Sequence, residues 1–160
     1  MNDRVRNALA LLIGLLLCYG AAAIGGLLGA GGDSSWYADL AKPSWTPPSW
    51  IFGPVWTLLY GMMAVSVWLV WLQRRQRPCA TPMIVFALQL ALNAAWTPLF
   101  FGLHRPGVAF ADIVLLWLAL VATLCLFLRR RAIAGWLLAP YLLWVSFAAA
   151  LNFTIWHLNL

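Results

Sequence analysis

The sequence predicts an all-α membrane protein, a bundle of five transmembrane helices with a long structured loop between the first and the second. Three observations lead there. Hydrophobic residues fill 64% of the 160 positions and charged residues only 9%, which lies outside the range of soluble domains. Apolar runs of about the 20 residues that a bilayer core demands recur at 8–28, 51–72, 82–103, 107–128 and 135–156. The basic residues between them alternate in density. Arg4 and Arg6 precede the first run, Arg74, Arg75 and Arg77 follow the second, and Arg129, Arg130 and Arg131 follow the fourth. The opposite side receives only Lys42 and Arg105. A net charge of +6 would suggest nucleic acid in a soluble chain, but this placement reads as topology, with no nucleic-acid partner. The positive-inside rule puts the N-terminus in the cytoplasm and, after an odd number of spans, the C-terminus outside.

The chain is expected to form one integral membrane domain over 1–160. In the first span Ala21 and Ala23 imitate a signal-peptidase site, yet the apolar run continues to Leu28, longer than a signal core, so a retained span is expected. The loop 29–50 is long for a compact bundle and mixes glycines, prolines and aromatics; long ordered loops are often functional. Asp33 is placed to cap a short helix from Ser34 to Leu40, which Pro43, Pro47 and Pro48 then stop. Trp36, Tyr37, Trp45 and Trp50 supply interfacial anchors. The segment reads as a semi-rigid lid on the outer face, with a plain aromatic belt as the simpler alternative.

Helical spacing aligns Phe52, Trp56, Tyr60 and Met63 on one face of the second span. In the third it aligns Gln89, Asn93 and Trp96, whose amides must turn inward because hydrocarbon offers them no partner. In the fifth, Trp144, Ala148 and Leu151 make another stripe, the alanine leaving room beside the indole. Three such stripes can enclose a flat ring system, with Asn93 and the Trp56 indole orienting its polar groups. Gln89 is read instead as a bond between helices. Ala87, Ala91 and Ala95 repeat a small residue every four positions, which suits a homodimer seam; Ala21, Gly25 and Gly29 offer the same spacing in the first span, so intramolecular packing is the alternative. Pro98 and Pro140 sit inside predicted spans and are expected to kink them or to free carbonyls nearby.

Chemistry that needs ionisable groups finds little here. Asp112 is the one carboxylate inside a predicted span, near its outer end, and is expected to cap or to pair with Arg105 rather than carry protons. His104 and His157 fall near the outer surface and read as polar ends in preference to haem ligands. The chain holds no glutamate, no HExxH and no nucleophile beside a base, so hydrolysis and metal-assisted catalysis lose support and no metal site is expected. The three cysteines form no CxxC and imply no disulfide framework.

The stretch WYADLAKPSWTPPSWIFGPVWTLLYGMM at 36–63, with QLALNAAWTPLFFGLHRP at 89–106 and PYLLWVSFAAALNFTIWHLN at 140–159, closely resembles the translocator protein family, also called tryptophan-rich sensory or peripheral benzodiazepine receptor proteins. The similarity covers nearly everything after the first span. It implies a five-helix bundle, commonly dimeric, whose pocket beneath the first long loop binds porphyrins, sterol-like lipids and benzodiazepine-type ligands. The matching positions are Tyr37, Pro47, Phe52, Trp56, Tyr60, Asn93, Trp96, Trp144, Ala148 and Leu151. In bacterial relatives the residues matching Trp56 and Trp144 are implicated in light-dependent protoporphyrin breakdown, which implies at most a weak catalytic role for those two tryptophans. The alanine series at 87, 91 and 95 resembles the family's dimer motif. No cofactor is required on this reading; protoporphyrin IX or a haem-like porphyrin enters as ligand. One departure matters: animal members end a cholesterol-recognition pattern on a basic residue near the C-terminus, whereas no Lys or Arg follows Arg131. Family members also occur in outer membranes, but helical spans and the arginine bias point to a bacterial inner membrane.

Overall fold

A computed structural model describes residues 2–29 and 34–160. Its helices are α1 (Asp3–Gly29), α2 (Ser34–Asp39), α3 (Phe52–Trp71), α4 (Ala80–Thr97), α5 (Pro106–Leu128), α6 (Ala132–Trp136) and α7 (Ala139–Leu158), with a 3-10 turn at Ser49–Ile51, a π-helical turn at Pro98–Gly102 and no strand among the described residues. Five helical stretches are long and apolar enough to cross a membrane. The expected cap Asp33 lies outside the described residues.

The residues that α1 buries are Gly14, Cys18, Gly25 and Gly29. A face of such small side chains lets neighbouring backbones come close. Near the start of α1, Gly14 rests on the carbonyl of Ala64 in α3, and the Trp68 indole donates to the carbonyl of Asn7 at 2.9 Å. Further along, Tyr19 donates to the carbonyl of Thr57 at 2.8 Å. Beyond that point the helix leans on α4, where a Cβ at Gly25 would stand 2.9 Å from the Ala94 carbonyl oxygen. The small residues of α1 therefore serve packing within the chain. Helix α4 lies between α1 and α5, and α7 packs against α5. Across the remaining gap α3 meets α7 through aromatic rings, Phe52 on Trp144 and Trp56 on Tyr141.

Both prolines fall where the regular helix is interrupted. Near Pro140 the interruption lies inside the stretch Ala132–Leu158. The chain forms the short α6, turns at 137–138 and begins α7 with Pro140 in its first turn, where the missing N–H is no loss because that donor would have no helical partner. Helix α6 is held from both sides: the Ser66 hydroxyl donates to the Ala134 carbonyl at 2.6 Å, and Gly135 abuts Leu128. At Pro98 the helix widens into the π turn, and Leu103 N–H donates to the Pro98 carbonyl at 2.8 Å, a spacing of five residues.

At the end of the bundle opposite the lid, Arg6 and Arg75 both bind Asp3, and Arg77 donates to the carbonyl of Arg129 at 3.4 Å. These contacts draw the three arginine-bearing segments together at one end of the bundle.

Candidate functional site

Under the lid the helices leave a cavity of about 670 Å³, within the range of small-molecule sites. Its wall includes Tyr37, Pro47, Phe52, Trp56, Tyr60, Asn93, Trp96, Trp144, Ala148 and Leu151. All the positions carried over from the resemblance thus share one hollow. The helical stripes explain how: one face each of α3, α4 and α7 turns inward, and the lid closes the end. Met63 and Gln89 do not reach this wall. Both are fully buried, with the Gln89 amide 4.0 Å from the Met63 sulfur, so the reading of Gln89 as a bond between helices fits its position.

The rings form continuous walls. Trp56 lies 5.5 Å from Tyr60 and 6.0 Å from Tyr141. Trp144 lies 5.7 Å from Phe52 and 5.5 Å from Phe147. These separations and tilts belong to the favourable range for aromatic pairs. The Trp144 indole N–H is buried and makes no hydrogen bond among the described residues.

The polar groups deeper in the wall are already committed to one another. Tyr60 donates its hydroxyl to the Asn93 carbonyl oxygen, and the Asn93 amide donates to the Tyr141 hydroxyl at 2.8 Å. Trp96 donates to Asn152 at 2.9 Å, and Asn152 donates to the Pro106 carbonyl at 2.8 Å. Asn93, expected to orient a ligand's polar groups, lines the cavity and also ties α3, α4 and α7 together. Replacing it with leucine would orphan two phenols, and each unsatisfied buried group costs about 1–3 kcal/mol. Asn93→Leu should therefore lower the thermal unfolding temperature in detergent, and adding Tyr60→Phe and Tyr141→Phe should recover part of the loss. An Asn93→Leu protein as stable as wild type would deny the bridge.

Lid order follows from local chemistry. Lys42 folds back on α2 and donates to the carbonyls of Tyr37, Ala38 and Leu40 at 2.6, 2.9 and 2.9 Å, answering the helix end's unpaired acceptors. Its ammonium also lies 4.8 Å from the centre of the Tyr37 ring. Burial pushes the Tyr37 phenol above its ordinary value, so it stays neutral. Asn159 at the end of α7 grips Ala41 twice, accepting from its N–H at 3.0 Å and donating to its carbonyl at 2.9 Å. Trp36 stacks on His104 at 4.3 Å, and Trp45 meets Phe147 at 5.7 Å. His104 adopts φ 53°, and its Nε2 is buried without a partner among the described residues.

Asp112 corrects an expectation. It forms no ion pair with Arg105; it is buried at 8% exposure, and one carboxyl oxygen has no partner among the described residues. Ala87 and Ala91 are exposed on the outer face of α4 and Ala95 is half-buried, while Ala94 and Thr97 are the residues that meet α1.

Several wall residues escape the sequence reading, among them Ala22 and Gly26 of α1, Lys42, Phe100 and Phe101 of the π turn, and Ile113 and Leu116 of α5. Tyr141, buried behind the wall where it holds Asn93, had a usable signal, since it continues the Trp144, Ala148, Leu151 stripe one turn earlier. Lys42 and the α1 residues had none beyond position.

A five-helix membrane bundle with a lidded aromatic hollow defines the class of protein. The chain belongs to the TspO/MBR family, whose model matches residues 13–157. Similar relatives include Tryptophan-rich protein TspO of Chlorobaculum tepidum, 44% identical over 99% of both chains. Protein CrtK of Rhodobacter capsulatus is 41% identical over 89% of this chain and 88% of its own. Translocator protein of Homo sapiens is 42% identical over 78% of this chain and 75% of its own.

Proposed function

We propose that the protein is a membrane receptor, sensor or carrier that takes porphyrins and other flat hydrophobic molecules into the cavity, with benzodiazepine-type drugs and sterol-like lipids as further candidates. The observation that carries this reading is the cavity itself. About 670 Å³ of space is walled by indole and phenol rings, suited to offset stacking and broad contact with a flat ligand. The deeper amides of Asn93 and Asn152 are satisfied by the protein, which leaves the Trp144 indole N–H as a buried donor on the wall without a partner among the described residues. Names such as Tryptophan-rich sensory protein and Translocator protein among the relatives agree with a sensing or carrying role.

Titrating detergent-purified protein with protoporphyrin IX while following tryptophan fluorescence tests the reading. Saturable quenching is expected, and a Trp56→Ala, Trp144→Ala double variant should lose it. Quenching that never saturates, or that the double variant retains at wild-type strength, would remove the assignment. Two further proposals accompany it. The exposed Ala87 and Ala91 face suits a homodimer seam, and the arginine-rich end faces the cytoplasm of a bacterial inner membrane.

A further inference from the structure

Among the described residues lining the cavity, Lys42 is the only Lys, Arg, His, Asp or Glu. It stands at the lid end, away from the self-satisfied network of Tyr60, Asn93 and Tyr141. Its three donors are spent on the carbonyls of Tyr37, Ala38 and Leu40. Carbonyls are dipoles, and even a full helix end amounts to only about half a negative charge, so the positive charge of the ammonium is answered in part. No carboxylate among the described residues forms an ion pair with it. The apolar wall around the cavity strengthens any Coulomb interaction made there relative to water.

We infer that Lys42 reads the charge of the ligand, so that the cavity favours flat apolar molecules bearing a carboxylate at the end nearest the lid, over neutral esters and over amines. This deepens the proposed function and rests on the cavity being a ligand site. A carboxylate takes the place of one α2 carbonyl at the ammonium, and the exchange trades a neutral acceptor for a charged one at an equal count of hydrogen bonds. Charge-assisted bonds are the stronger kind. A cationic ligand meets positive charge that the carbonyls answer only in part.

The test compares protoporphyrin IX with its dimethyl ester on wild type, Lys42→Met and Lys42→Arg by tryptophan quenching. Wild type should prefer the acid about tenfold more than Lys42→Met does, equivalent to about 1.4 kcal/mol, and Lys42→Arg should keep most of that preference. The acid-to-ester ratio cancels differences in micelle partition and any general loosening of the lid when α2 loses its cap. An identical ratio in wild type and Lys42→Met overturns the role of Lys42 and leaves the cavity assignment standing. Should Lys42→Met bind neither molecule, equal wild-type affinity for acid and ester, corrected for partition into empty micelles, overturns it instead. Absence of saturable binding of either molecule to wild type overturns the cavity assignment and this inference together.

Discussion

Ala148→Trp is expected to lower the affinity for protoporphyrin IX by at least about 100-fold while the bundle stays folded. Ala148 lines the cavity on the α7 face that also carries Trp144 and Leu151, so any side chain larger than a methyl group grows into the hollow. An indole presents about 150–250 Å² of surface, enough to occupy space that a fused-ring ligand would need. A 100-fold loss corresponds to about 2.8 kcal/mol, comparable to excluding one large apolar group from its burial site. Stability should move little, because the new ring can grow into the empty volume that Ala148 lines. The measurement is quenching titration beside thermal unfolding of the same preparation. Wild-type affinity in a folded Ala148→Trp protein would mean that the ligand sits elsewhere.

Hydropathy and period carried most of the architecture, because both are properties of single helices. A run of apolar residues needs no knowledge of its neighbours, and a stripe such as Phe52, Trp56 and Tyr60 follows from 3.6 residues per turn. What depends on a partner far along the chain was hidden. The bond from Asn93 to Tyr141 joins residues 48 apart, so the amide looked available to a ligand. The break at 137–138 was hidden for another reason: the residues on both sides are apolar, and hydropathy does not register where a backbone turns. Lys42 shows the same limit. Its charge was legible as a topology marker, but its fold back onto α2 and its place in the wall are products of the lid's shape.

Gly25→Leu is expected to destabilise the protein by about 1–3 kcal/mol, the cost of forcing extra volume into a packed contact, whereas Gly20→Leu in the same helix should be neutral to stabilising by up to about 1 kcal/mol. At Gly25 a Cβ would stand 2.9 Å from the Ala94 carbonyl oxygen and 3.5 Å from its Cα. Those are backbone atoms of α4, so neither can swing aside, and α1 must move away. The next contact along the seam, Gly29 against Thr97, would be pulled apart with it. A Cβ at Gly20 meets nothing within 4 Å, and leucine favours the helix over glycine by nearly 1 kcal/mol, roughly the glycine penalty. The effect at Gly25 should reach function as well. Ala22 and Gly26 ride on the same helix and line the cavity, so displacing α1 opens the wall and weakens ligand binding although residue 25 is not part of it. Thermal unfolding and porphyrin titration of both variants check this together. Equal behaviour of Gly25→Leu and Gly20→Leu would show that the α1 and α4 backbones do not meet as closely as the structure places them.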